Sequence, residues 1–131
     1  MFLDTSGLFC YHHRDEVQHQ RAQFLFRTAS RLVTHDYVLA EFIPLCRARG
    51  LNMPEVYDFV ESLLNNPGIE VYWVNEATYR AALTLLEARP DKTYSLCDAV
   101  SFVIMRLLGI TEALTTDRHF EQEGFTRLLE P

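Results

Sequence analysis

Short apolar runs alternate with longer, helix-patterned runs along almost the whole of this 131-residue chain. Strand-like runs fall at Met1–Asp4, Arg31–Thr34, Ile69–Val74, Ala113–Thr116 and Phe125–Leu129. Between them the pattern predicts helices over Glu16–Thr28, from Asp36 towards Gly50, from Asn52 through Leu64, over Glu76–Ala88 and over Ser95–Leu108, with a short helix after Asp117. Strands that alternate with helices build a mainly parallel sheet covered on both faces. The expected fold is therefore α/β: three α/β/α layers around a mainly parallel central sheet of four to five strands. The length favours a single domain over residues 1–131, large enough to bury a core without disulfides.

Local signals refine the pattern. Val17, Phe24 and Leu25 are expected on one stripe of the first long helix. Asp36 is expected to cap the next helix, and Gly50 to stop it. Pro44 inside that helix removes the bond to Ala40 and should kink it. Asn52-x-x-Glu55 reads as a capping box, Asn66-Pro67-Gly68 as a turn, and Gly109 as the end of the most buried-looking helix.

Composition excludes several classes. Twelve Lys and Arg against eighteen Asp and Glu give a net charge of −6, which argues against a broad basic surface for nucleic acid. Cys10, Cys46 and Cys97 are odd in number, lack CxxC spacing and lie in apolar stretches. They read as packed, reduced thiols of a cytoplasmic protein. The start, MFLD, reaches a charge at once, so no signal peptide is expected, and no apolar run approaches membrane-spanning length. His12, His13, His19 and His35 form no zinc-ligand spacing. His119, beside Asp117, fits a phosphate contact or a packed helix residue equally well.

Four carboxylates interrupt the apolar pattern: Asp4, Glu41, Asp98 and Asp117. A buried carboxylate is costly unless something pairs with it. Each has an ordinary structural reading. Asp4 could cap a following short helix. Glu41 shares a helical face with Val38 and Leu45, and could meet an arginine elsewhere in the fold. Ser95-x-x-Asp98 resembles a capping box, and Asp117 could cap one turn or pair with Arg118. Yet Asp4 and Asp117 each stand just past an apolar strand, where parallel sheets place their chemistry. Two carboxylates about 4 Å apart repel by roughly 4 kcal/mol at an effective dielectric of 20. Gathered together, four would require a cation, and oxygen ligands suit Mg²⁺ or Mn²⁺.

The segments FLDTSGLF, THDYVLAEF, SLCDAVSFVIMRLLGI and EALTTDRHFEQEGF carry these acids in order. With them the chain, from Met1 to about Leu129, resembles the PIN-domain ribonucleases. It is most similar to the toxins of VapBC-type toxin–antitoxin pairs and their stand-alone bacterial relatives. The resemblance implies a PIN-like fold and a catalytic cluster of Asp4, Glu41, Asp98 and Asp117. Asp4, Asp98 and Asp117 would ligate Mg²⁺ or Mn²⁺, and Glu41 would bind metal through water or orient the attacking water. Thr5, Ser6 and Thr115 would lend supporting hydroxyls, and no organic cofactor is implied. The implied reaction is metal-dependent hydrolysis of RNA, leaving a 5′-phosphate and a 3′-hydroxyl.

Implied partners are an RNA substrate, a small antitoxin and a second copy of the chain. The helices Glu16–Thr28 and Val56–Leu64 are candidates for the antitoxin groove or the homodimer face. Arg14, Arg47, Arg49, Lys92 and Arg118 are candidate RNA contacts, although a solvated surface charge is the favoured reading of each. The alternative function is a catalytically silent PIN-like module that binds RNA or a protein. A phosphatase of the haloacid-dehalogenase kind is disfavoured, because Ser6 stands where its second acid is needed.

Overall fold

A computed structural model describes residues 1–130. The strands are β1 (Phe2–Leu3), β2 (Leu32–His35), β3 (Ile69–Tyr72), β4 (Glu112–Leu114) and β5 (Thr126–Arg127). The helices are α1 (Thr5–His12), α2 (His19–Thr28), α3 (Asp36–Ala48), α4 (Met53–Asn65), α5 (Glu76–Glu87), α6 (Leu96–Leu108) and α7 (Arg118–Gln122). The strands form one sheet in the order β3-β2-β1-β4-β5, and every pairing is parallel. The expected α/β class is observed, with the sheet at the upper end of the expected strand number.

This order fixes where a site can form. From β1 the chain adds β2 and β3 on one side, then returns to add β4 and β5 on the other. The direction reverses between β1 and β4. In open parallel sheets the crevice beyond the strand ends opens at such a reversal. Phe2 lies opposite both Val33 and Ala113, and Leu3 opposite Leu114. All five of these side chains are fully buried, as expected for strands covered on both faces.

Helix α1 approaches β4 so closely that only glycine fits at position 7. A Cβ there would lie 1.9 Å from the carbonyl oxygen of Leu114. The fragment Asp4-Thr5-Ser6-Gly7 is therefore a packing requirement as well as a source of polar groups. Helix α6 begins with a reciprocal capping box. Ser95 Oγ accepts from the Asp98 N–H at 3.0 Å, and Asp98 Oδ2 accepts from the Ser95 N–H at 3.0 Å. It ends at Gly109 in the left-handed conformation, φ 69°.

Two local expectations are corrected. Helix α2 starts at His19, and Val17 lies outside it, 96% exposed. Phe24 is also exposed, while Ala22, Leu25, Phe26 and Ala29 form the inward stripe; Tyr11 stacks on Phe26 at 4.1 Å. Helix α3 is capped by His35, whose Nδ1 accepts from the Val38 N–H at 3.3 Å. Asp36 accepts instead from the Val74 N–H at 2.8 Å, tying the start of α3 to the end of β3. Helix α3 includes Pro44, where the sequence predicts a kink. Ala40 and Pro44 are both exposed, so water can serve the carbonyl that the proline leaves without a donor.

Two buried polar groups lock elements together. Glu123 receives Arg89 Nε at 2.9 Å, Arg106 at 2.6 Å and the Tyr94 hydroxyl at 3.0 Å. Burial alone would raise its pKa, but these donors outweigh burial and lower it. His35 is fully buried; its Nε2 meets Ser101 Oγ at 2.8 Å, and Ser101 donates to the Cys97 carbonyl. Because Nδ1 accepts from Val38, Nε2 carries the proton, and the ring is neutral. Burial pushes its pKa from 6.5 down to about 3.

Two outcomes follow from this packing. Gly7→Ala should destabilise the fold by about 3 kcal/mol, seen as a lower urea midpoint, because the obstacle is backbone. His35 is neutral in the folded chain but protonates below pH 6.5 once unfolded. The stability it contributes is complete above pH 6.5 and drains away as pH falls towards 3. Urea titrations at pH 7.5 and 5 should show a smaller acid loss for His35→Gln than for the wild type.

Candidate active site

The two strands that flank the reversal, β1 and β4, lead into Asp4 and Asp117. Asp4 follows β1, and its N–H donates to Leu114 O at 3.2 Å. It occupies the N-cap position of α1, yet its side chain does not cap that helix. Instead Asp4 Oδ2 accepts from Thr115 Oγ1 at 2.7 Å and from Ser6 Oγ at 3.4 Å. Thr115 Oγ1 also accepts from the Asp117 N–H at 3.0 Å, so one hydroxyl orders both acids. Ser6 lies 3.1 Å from Thr115 and accepts from the Thr116 N–H at 3.0 Å. The Thr5 hydroxyl is buried and has no partner among the described residues.

Asp98 comes from the first turn of α6 and is 8% exposed. Its Oδ2 lies 2.9 Å from His119 Nδ1. Asp117 caps α7 through the His119 N–H at 2.9 Å, and its Oδ1 lies 3.4 Å from His119 Nδ1. The structural reading of these acids as caps is thus correct for Asp98 and Asp117, and it places them beside each other. Ligand atoms of Asp98, Asp117 and His119 all lie within 4.8 Å of one another. Asp4 stands outside that spacing but close enough for its charge to interact with both aspartates.

Glu41 shares the helical face of Val38 and Leu45 but is not buried there. Val38 is buried and Leu45 half-buried, whereas Glu41 is exposed. Its link to the cluster is Cys97, whose thiol lies close enough to feel the charges of Glu41, Asp4 and Asp98. Burial first, then the charges of Glu41, Asp4 and Asp98, hold the Cys97 thiol protonated well above its ordinary range. A residue read as an ordinary packed thiol therefore lies among the acids.

The other basic candidates are partly engaged. Arg49 pairs with Glu16 at 3.0 Å and sits over the Phe9 ring, Arg47 donates to Tyr57, and Lys92 meets Asp91 at 3.4 Å. Arg49 also lines a cleft of about 260 Å³ with Ser6, Phe9 and Thr116, next to the acids.

The arrangement fits a divalent cation. Among the described residues, Asp98 uses only Oδ2 and Asp117 only Oδ1 in hydrogen bonds, which leaves a second oxygen of each for a metal. Asp4 is 5% exposed, and burial raises its pKa from 3.8 to about 7; the Thr115 bond opposes the rise, and the charges of Asp98 and Asp117 add to it. A nearby dication would remove that repulsion.

The PIN-domain family profile matches residues 1–125. The chain belongs to the PIN-domain family. Its fold is similar to that of VapC20 from Mycobacterium tuberculosis, a toxin described as cleaving the sarcin-ricin loop. The TM-score is 0.88 and the identity 25%, over 99% of this chain and 98% of that one. A search of curated proteins gives no significant sequence match. Among the described residues no helix is long and apolar enough to cross a membrane.

Without metal, the buried Asp4 carboxylate opposes folding. Its raised pKa means this penalty grows as pH rises from 3.8 to about 7 and is complete above that. Asn keeps an oxygen for Thr115 but carries no charge. Asp4→Asn should be more stable than the wild type at pH 8 in chelator, by about 2 kcal/mol in urea denaturation.

Proposed function

We propose that this PIN domain, a single unit over residues 1–131, is a divalent-metal-dependent endoribonuclease and the toxin of a toxin–antitoxin pair. The observation that carries this reading is the convergence of Asp4, Asp98 and Asp117 where the sheet reverses. The match to the family and the likeness to VapC20 support an RNA substrate.

In this reading Asp4, Asp98 and Asp117 hold Mg²⁺ or Mn²⁺. The bound ion supplies charge neutralisation at the scissile phosphate and lowers the pKa of water. The side chains do the rest. Thr115 and Ser6 hold Asp4 in place, and the capping box fixes the rotamer of Asp98. Glu41, exposed and near Cys97, orients the attacking water or accepts its proton. Water adds to phosphorus as the bond to the 3′-oxygen breaks, leaving a 5′-phosphate and a 3′-hydroxyl. RNA would approach over the cleft bounded by Ser6, Arg49 and Thr116. A small antitoxin and a second copy of the chain are the proposed protein partners, and the cytoplasm the proposed compartment.

Labelled RNA incubated with Mg²⁺, Mn²⁺ or EDTA tests the reading. Cleavage should require metal and fall by at least about 100-fold in Asp98→Asn. Asn retains an acceptor for the Ser95 N–H, so circular dichroism should be unchanged. Undiminished cleavage by that variant would sink the proposed site.

A further inference from the structure

His119 is the one member of the 4.8 Å group that is not a carboxylate. Its ring is fixed from several directions. Its own N–H is held by Asp117 Oδ1, Tyr94 packs edge-on at 5.2 Å, and Nε2 lies 3.1 Å from Thr93 Oγ1. Nδ1 is left facing the acids, 2.9 Å from Asp98 Oδ2 and 3.4 Å from Asp117 Oδ1. Ligands at about 2.1 Å from a small octahedral ion, at right angles to one another, stand about 3 Å apart. Nδ1 already stands at nearly that separation from one oxygen of each carboxylate, and among the described residues the second oxygen of each is free to turn to the same ion.

We propose that His119 is a metal ligand through Nδ1, which makes the site two carboxylates and one imidazole and biases it towards a transition ion over Mg²⁺. This inference rests on the metal-dependent reading above and adds a nitrogen donor to it. Imidazole is a good ligand for first-row transition ions and a poor one for Mg²⁺. The far nitrogen is suitably placed for that role. A metal-ligating histidine usually donates its other N–H to an oxygen, which sets the tautomer. Thr93 Oγ1 stands at Nε2, and a hydroxyl both donates and accepts. It can serve the ring while Nδ1–H donates to Asp98, and equally when Nδ1 binds a cation and Nε2–H donates to Thr93. The competing role is a hydrogen-bond donor that only orients Asp98. Glutamine can replace that donor but not an imidazole ligand.

The test uses the full chain stripped of metal, with Mn²⁺ and Mg²⁺ titrated by calorimetry and bound Mn²⁺ examined by pulsed EPR. Wild type should bind one Mn²⁺ with a nitrogen-14 coupling. His119→Gln should lose the coupling and bind Mn²⁺ at least about 10-fold more weakly, with Mg²⁺ affinity unchanged. Thr93→Val, at an exposed position, should keep the coupling and weaken Mn²⁺ about 10-fold. Stoichiometric Mn²⁺ without nitrogen coupling in the wild type, or unchanged Mn²⁺ affinity in His119→Gln, overturns the inference and leaves the nuclease reading standing. Failure of wild type to bind either ion overturns both.

Discussion

The hydrogen bond from Thr115 to Asp4 joins the two halves of this molecule. It spans 111 positions in the sequence and only 2.7 Å in space. β1 and β4 are neighbours because α1 can lie against β4, and α1 can do so because residue 7 has no side chain. Once those strands are adjacent, their ends deliver Asp4 and Asp117 to the same crevice. Thr115 then orders both acids, accepting from the Asp117 backbone while donating to the Asp4 carboxylate. The site is a consequence of the sheet reversal.

Stability and chemistry pull against each other there. Asp4 is buried beside two other acids, and the fold holds it with a single strong neutral donor instead of a cation. Glu123 shows what the same chain does with a buried acid meant for structure: it surrounds it with two arginines and a tyrosine. The contrast separates the two kinds of carboxylate. The structural one has its counter-charge within the chain. The other group is left with free oxygens and, at most, an imidazole, which is the condition for accepting a cation from outside.

Much of this was legible in sequence, for identifiable reasons. Period and composition located nearly every element, because the strands are short, apolar and punctuated by polar turns. The four acids stood out because carboxylates break an apolar pattern at strand and helix ends. The capping box at Ser95 and Asp98 was readable because both partners lie within one turn. The failures are equally local in cause. Val17 was assigned to a stripe on a helix that begins after it. The cap of α3 went to Asp36, since a buried histidine acting through Nδ1 is an uncommon cap. Glu41 was assigned to an apolar face that turns out to be only partly covered.

What the sequence determined by itself is the set of parts: an alternating α/β chain, a glycine inside the first acidic motif, and acids at the junctions. Those follow from interactions within a few residues, where periodicity and capping act. The tertiary structure alone decided which parts meet. The strand order, the nearness of Cys97 to Glu41 and Asp4, the Glu123 network and the turning of His119 Nδ1 towards two carboxylates all join residues far apart in the chain. No local pattern encodes such contacts, because they depend on how the strands are ordered and how closely the helices lie upon them.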